Sequence, residues 1–597
     1  MKGVLILLAL LAGMAWAADP YVGYIYPAGV QAGTTNRLIV GGQFFWNLKG
    51  VEAGPGVRVL GFALVPNFPP PVGGQRRYLV KWLDRIAEGD RTQPRLPVED
   101  EFYTDWRSNR WYSALGELDA GQLALVEHFL YTPRNALQMS PALSQKLHVT
   151  VAVDKDAAPG VRALRVYGPQ GFSPPRPFLV SAAPHVVEPL YVPPHRTQPA
   201  PPVVTNLPCV LDGQILPGST DRWILPLAKG RTVTLRVTAR ELQPYIGDAV
   251  PGFFNPVLRL VNRAGDQLAF ADDFFYHPDP ALTFTAPADD DYTLEIHDNL
   301  YRGREDFTYE IAVREGAHLP SVRTLSLSPL PAWEVPPAAQ AQTFSGVIAR
   351  PGQVDVHTVS VPEPCERTFD LLARRAGSPL DARVTVWRGA DRIARIDDVT
   401  NTFLFGSVIQ AECDPVGRVK FDRPGTYEIR VEDEAGHGGA DFFYTLRLHR
   451  PAPRFEVWCL KSGLALRAWW GGARVGFEVV RRDGFDGSVT LEENDFVKFK
   501  PNVIPAASNR VVVTAISKLQ KPLAPTNMTL TASAVVNGVR VTVPVTPADE
   551  YNQAFAWNHL VPARTFAFVG LPGNRPKPKK NAPPPKKAPV PPKVKKD

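Results

Sequence analysis

Pro217-Gly218-Ser219-Thr220-Asp221 opens a strand-like run that closes on Ala239-Arg240, and Pro351-Gly352-Gln353-Val354-Asp355 opens a second run that closes on Ala373-Arg374. Asp221 and Asp355 are 134 residues apart, and so are Arg240 and Arg374, so no gap intervenes. The copies also end alike. Tyr292-Thr293-Leu294-Glu295-Ile296-His297-Asp298 matches Tyr427-Glu428-Ile429-Arg430-Val431-Glu432-Asp433, and Asp306-Phe307-Thr308-Tyr309 matches Asp441-Phe442-Phe443-Tyr444. Solenoid units are about 20–50 residues long, so a period this great means duplicated domains. Apolar residues that alternate with polar ones are the mark of half-buried strands. The repeated unit is therefore all-β, and it carries no set of catalytic residues.

Working outward, the rest of the chain has the same texture with one exception. Residues 18–183 read as a β-sandwich interrupted by a helical insertion at about 76–140. In it, Tyr78-Leu79-Val80-Lys81-Trp82-Leu83 has helical apolar spacing and stops at Gly89, and a second helical stretch opens at Asp119. A Pro-rich linker at 184–206 leads to the first repeat at 207–316, and a second linker at 317–339 leads to its copy at 340–450. Residues 451–572 form a last, immunoglobulin-like sandwich, in which Asn537-Gly538 between two β-rich runs marks a hairpin, because both turn residues need positive φ. The fold class is all-β: a multi-domain array of β-sandwich modules of jelly-roll or immunoglobulin type, the first with a small helical insertion.

Residues 1–17 read as a secretory signal. Lys2 supplies the charge, Val4 to Leu11 the apolar stretch, and Ala15-Trp16-Ala17 a small-x-small cleavage site. No later segment is long and apolar enough to span a bilayer, which takes about 20 residues. The expected location is secreted or periplasmic. The formal charge of +7 is a property of the tail at 573–597, which holds nine basic residues and one acidic. Without that tail and Lys2, 56 basic residues face 58 acidic ones, so the body is not that of a nucleic-acid-binding protein. The tail's Lys577, Lys579, Lys580, Lys586, Lys587, Lys593, Lys595 and Lys596 leave no apolar face. They are candidates for contact with an anionic envelope or extracellular polymer; a solvated spacer is the other reading.

The hydrolase, zinc and nucleotide motifs are absent: there is no G-x-S-x-G, H-E-x-x-H, G-x-x-x-x-G-K-[ST] or G-x-G-x-x-G. The chain is read as non-enzymatic. Asp272, Asp273, Asp279, Asp298 and Asp306 form the densest acidic group, a candidate calcium site, since calcium takes six to eight oxygens. Against it stands the preference of Asp for turns. Of the four cysteines, Cys365 and Cys413 fall in one module and are the favoured disulfide pair, while Cys209 and Cys459 lie elsewhere. Phe253-Phe254, Phe274-Phe275-Tyr276 and Trp469-Trp470 lie near expected loops, where aromatic rings bind sugars or proteins or simply pack.

Gly213 to Asp221 with Asp291 to Asp298, and Gly346 to Asp355 with Gly425 to Asp433, follow a G-x-I-x-P-G-x-x-D … Y-x-L-x-I-x-D pattern that resembles the bacterial pre-peptidase C-terminal domain. Strings such as Gln243 to Phe254, Asp298 to Phe307 and Gln553 to Ala563 look like a subgroup of large secreted bacterial proteins that lack a peptidase domain. The resemblance implies jelly-roll-like sandwiches and, in some members, calcium or insoluble-polymer binding. Gln410-Ala411-Glu412-Cys413-Asp414 departs from a His- and Asp-containing stretch in those relatives. The expectation is a secreted, non-catalytic binding or scaffold protein whose partner is an anionic polymer or a secreted protein. The alternative is an accessory or cryptic component of a secreted peptidase or polymer-degrading system.

Overall fold

In the computed structural model, residues 19–65, 74–92, 115–117, 123, 143, 145–189, 199–242, 253–274, 278–318, 341–397, 403–404, 407–409, 414–469, 471–552 and 558–573 are described. The protein is an all-β array of sandwich modules. The signal stretch, the lysine tail and most of the second helical stretch lie outside the described residues.

In the first module, Tyr21–Tyr26, Thr35–Gln43, Gln145–Val153 and Val57–Val65 form one antiparallel sheet, packed against a sheet built on Gly160–Gly168 and Arg176–Ser181. Leu38, Val40, Val149, Val151, Val166 and Phe178 fill the space between them. The helix Gly74–Ala87 buries Tyr78, Leu79, Trp82 and Leu83, the residues whose spacing predicts it.

The two repeat copies share one topology. The sheet ordered Asp221–Leu227, Asp290–Asp298, Pro256–Val261, Gln267–Ala271 has its counterpart in Val354–Val361, Gly425–Asp433, Ala382–Arg388, Asp391–Ile396. The facing sheet, ordered Cys209–Gln214, Thr308–Glu315, Thr232–Thr238, Ala281–Thr285, matches Gln342–Val347, Phe443–His449, Cys365–Leu372, Val416–Phe421. The shared motif residues meet in three dimensions. Tyr309 Oη donates to Asp221 Oδ2 at 2.9 Å, and Tyr444 Oη to Asp355 Oδ2 at 2.9 Å, each across the two sheets. Gly213 and Gly346 are needed because a Cβ would lie 2.2 Å from the Tyr309 hydroxyl or 2.5 Å from that of Tyr444.

The Pro-rich stretch before the first copy is partly structural. His185–Val187 pairs in parallel with Cys209–Gln214, and Val203 bridges Ile224 on the edge of the other sheet. In the last module, Thr531–Val536 and Val539–Asn552 form the expected hairpin, with Asn537 at φ 49° and Gly538 at φ 80°. Ser407–Ile409 of the second copy pairs in parallel with Asn558–Pro562 of that module.

Modules far apart in sequence are joined by buried polar groups. Arg165 of the first module donates to the Ser462 carbonyl at 2.6 Å, to Ser462 Oγ at 2.9 Å and to the Thr565 carbonyl at 3.0 Å. Asp549 in turn accepts from the Ser462 amide and hydroxyl, and Lys461 reaches Asp19 at 2.5 Å. Beside them Phe172 packs with Ala567 and Val569.

Arg165→Ala should strand the two carbonyls and leave Asp549 without its buried counter-charge. The expected loss is about 3 kcal/mol, within the range for removing one partner of a buried pair. Urea unfolding of the whole protein measures it; a loss under about 1 kcal/mol, as at an exposed pair, would mean the seam is not a structural joint.

Candidate functional site

A group of buried ionisable side chains lies where the first module meets the first repeat copy. The strand register sets Asp212 opposite Glu310 and Glu310 opposite Thr238, a polar row on the sheet face turned away from the core. His185 Nδ1 sits 2.5 Å from Asp212 Oδ2, and Asp212 Oδ1 accepts the Gly29 amide at 3.1 Å. Glu188 Oε1 accepts the Gln214 amide at 2.7 Å and the Tyr26 hydroxyl at 3.3 Å. Lys146 closes one side through Glu305 at 2.6 Å, and Arg176 another through the carbonyls of Val22 and Leu242. Gly29 admits this packing: a Cβ there would meet Glu310 Oε2 at 2.5 Å and the His185 ring at 2.8 Å.

Ser181 Oγ lies 2.9 Å from His185 Nε2, which completes a Ser–His–Asp relay with Asp212. Three features argue against nucleophilic catalysis by it. A serine nucleophile must aim its proton at the base, yet Ser181 donates to the Ala183 carbonyl at 2.7 Å. The imidazole and its carboxylate are 8% and 0% exposed, which leaves the ring little room to hand a proton to a leaving group. The hydroxyl sits at the end of the strand Arg176–Ser181 in a sandwich seam, not at the start of a helix whose free amides could hold a reacting oxygen. Ser181, His185 and Asp212 follow no motif spacing, so this group is not legible before the fold is known.

Burial dominates the electrostatics. Desolvation pushes Glu310 up to about 8, with Asp212 adding repulsion, and pushes Glu241 up to about 7 against the pull of Arg236. It raises Asp221 to about 6, opposed by hydrogen bonds from Glu188 and Tyr309. Glu188 is held well above its ordinary value by burial and by Asp221 beside it. Burial raises Asp212 as well, and the His185 contact opposes that rise. Among the described residues, Glu310 Oε2 meets no hydrogen-bond partner, which favours the protonated acid at this point.

The five candidate calcium ligands do not converge. Asp279 is buried and accepts the backbone amides of Ala239, Arg240 and Glu241 at 2.7–2.9 Å. Asp298 accepts the amides of Asn255, Leu300 and Arg302 and pairs with the Arg302 guanidinium at 2.8 Å. Asp306 pairs with Arg304 at 2.5 Å. Asp272 and Asp273 lie on the surface beyond the strand Gln267–Ala271, and Asp272 adds to the rise that burial gives Asp273. Among the described residues no group of three or more His, Cys, Asp or Glu side chains is arranged to hold a metal ion. Cys365 is a free thiol, as are the buried Cys209 and Cys459; Cys413 and the eight tail lysines lie outside the described residues. Burial pushes the Cys209 thiol up to about 11 and that of Cys459 up to about 12, so neither is a ready thiolate. Phe254 stacks on Phe307 in the core, and Phe253 lies under the guanidinium groups of Arg240 and Arg304.

No family model matches the chain, and neither does any curated protein. Among solved structures it is similar to the pre-peptidase C-terminal domain of collagenase from Bacillus anthracis, at 16% identity over 20% of this chain and 100% of that one, TM-score 0.15. It is also similar to SGBP-B of the Bacteroides ovatus mixed-linkage glucan utilization locus, solved with a mixed-linkage heptasaccharide, at 10% identity over 72% and 74%, TM-score 0.15. A third is the BSP domain of a biofilm associated protein, at 13% identity over 68% and 80%, TM-score 0.13. Among the described residues no helix is long and apolar enough to cross a membrane.

Two outcomes follow. A carboxyl whose folded pKa lies above its unfolded value stabilises the fold fully below the unfolded value, near 4, and that stability is lost as pH rises through the folded one. With Asp221 at about 6, Glu241 at about 7 and Glu310 at about 8, stability should fall progressively from about pH 4 to pH 8. Calorimetry should show Glu310→Gln flattening the upper part of that fall; an unchanged slope between pH 7 and 9 would clear Glu310 of the effect. Separately, Asp279→Ala leaves three amides unpaired and should cost roughly 2–3 kcal/mol, equally in calcium and in chelator. A loss seen in calcium alone would restore the metal reading.

Proposed function

We propose that the protein is an exported, non-catalytic binding and scaffold protein of the cell envelope or the extracellular space. One observation carries this reading. The side chains that come together in the manner of an active site, Ser181, His185 and Asp212, are spent in joining the first module to the first repeat copy, and Arg165 is spent in joining the first module to the last. Such joints hold sandwiches in a fixed relation and leave their outer faces and loops for contact. Tight seams between modules suit a rigid platform, since ordinary interfaces within a chain permit relative motion. The signal-like N-terminus and the lysine-rich tail agree with export and surface retention.

The purified protein should show no turnover on peptide, ester or glycoside substrates, and an active-serine phosphonate probe should leave Ser181 unmodified by mass spectrometry. It should also retain one class of envelope or extracellular polymer in a pull-down. Labelling at Ser181 that His185→Ala abolishes would replace this reading with that of a hydrolase.

A further inference from the structure

The two repeat copies differ at one turn. In the second copy Asp433 caps it: its carboxylate accepts the amides of Asp381 and His437, its carbonyl accepts that of Gly436, and Gly436 has φ 75°. In the first copy Asp298 makes the same cap, and its carbonyl accepts the amide of the equivalent residue at 2.8 Å. That residue is Tyr301, with φ 54°. A left-handed conformation costs an L side chain about 1–2 kcal/mol, which glycine avoids. A tyrosine where the duplicate has glycine marks a position held for its side chain. The Tyr301 ring stacks on His297, with centroids 4.4 Å apart and planes 7° from parallel, and the residue remains 55% exposed. One ring face is thus supported and the other is free.

His297 belongs to the outer face of the sheet beside that turn. Across this face the register aligns Arg222 with Glu295, Glu295 with Arg259, and Arg259 with Phe270. Glu295 binds Arg222 at 2.9 Å and Arg259 at 3.4 Å, and Phe270 is 51% exposed. Two exposed aromatic rings thus border a row of planar, hydrogen-bonding side chains, Phe270 at its end and Tyr301 beside the strand of its middle residue, Glu295. Phe270 lies two strands, about 10 Å, from the strand that carries His297. At the equivalent positions the second copy has Val356, Arg430, Thr385, Arg395 and Glu432, and its outer face carries instead Trp387 beneath the Arg430 guanidinium and the Arg383–Glu432 pair.

We propose that this face of the first copy binds a neutral polysaccharide, with one sugar ring stacked on Tyr301 and the chain running over the Arg222–Glu295–Arg259 row toward Phe270. A pyranose ring has an apolar C–H face and a rim of hydroxyls. A supported aromatic ring matches the first, and fixed guanidinium and carboxylate groups match the second. Glu295 pairs with both arginines and lowers the charge of the row from +2 to +1, so the row presents hydrogen-bond donors and an acceptor side by side, as a rim of hydroxyls requires. A stable protein partner would bury about 800 Å² on each side over an apolar centre, whereas the centre here is charged. The proposal rests on the binding-protein reading above and names the ligand class for it.

The test uses the full protein, Tyr301→Gly and Phe270→Ala in affinity electrophoresis. The probes are soluble neutral glucans, xylan and galactomannan, with alginate and polygalacturonate as anionic controls. The wild type should be retarded by at least one neutral polysaccharide. Tyr301→Gly, which restores the residue found in the duplicate, should melt no lower than the wild type and lose at least tenfold in affinity. Phe270→Ala should lose less. The proposal is overturned if no neutral polysaccharide retards the wild type, or if Tyr301→Gly binds as the wild type does. Retention of an anionic polymer or an envelope protein, unaffected by Tyr301→Gly, would overturn this site and leave the scaffold reading standing. Retention of nothing at all would overturn both.

Discussion

The hydrogen bond from a buried tyrosine on one sheet to an aspartate on the other is the constraint around which each repeat copy is built. Tyr309 and Tyr444 are nearly inaccessible, and each phenol would lose a hydrogen bond in the core without Asp221 or Asp355. The ring also dictates the opposite strand, because only glycine fits beneath it at Gly213 and Gly346. The Gly, Pro-Gly-x-x-Asp and Tyr elements of the repeated motif are therefore one packing unit. Their recurrence at a fixed offset reports a sandwich joint and says nothing of catalysis. In the first copy Trp223 Nε1 reaches the same phenol at 3.3 Å; in the second His357 takes that place at 2.7 Å. The joint tolerates a change of third partner while the tyrosine–aspartate bond stays.

Once the core is fixed in this way, the outer faces are free to diverge, and the two copies have done so. Asp212 and Glu310, buried against the first module, correspond to Ser345 and Thr445, which face solvent in the second copy. Carboxylates carry a large desolvation cost when buried. They are found in the copy where the preceding linker supplies a histidine, and the neighbouring module a backbone amide, to receive Asp212. Thr368 and Asp370 of the second copy lie on the equivalent sheet and are buried as well, with Arg454 of the last module close enough to feel the Asp370 charge. Each repeat copy thus uses the same sheet to meet a flanking sandwich, with a different set of polar groups.

The fold was largely legible because strands of a half-buried sheet declare themselves by alternation, as in Tyr292 to Asp298, and because Asn537-Gly538 has a specific backbone requirement. The helix at Tyr78 to Ala87 was legible for the same reason, through its apolar spacing. The seams were not. Arg165 reads as an ordinary surface arginine, and its partner Ser462 is 297 residues away, beyond any local pattern. The acidic group was seen in sequence, but its chemistry depends on where the amides point. Asp279 and Asp298 each gather three backbone N–H groups, which is what a turn asks of aspartate, and sequence alone does not separate that duty from ion binding.

Tyr301 shows a further limit and a way past it. Asn299-Leu300-Tyr301-Arg302 lies within the Asp298 to Phe307 string that carries the resemblance, but nothing in that string marks the tyrosine, and an exposed tyrosine is common on protein surfaces. Its meaning comes from the duplicate. Aligned through the capping aspartates, Gly436 shows which backbone conformation the turn requires, and Tyr301 shows that the first copy accepts the strain of adopting it with a side chain. A duplicated module thus serves as its own reference state. Where both copies keep a residue, as at Tyr309 and Tyr444, the reason is the fold. Where one copy holds a costly residue that the other replaces with the unstrained choice, as at Tyr301 and Gly436, the topology common to both copies is not the reason for it.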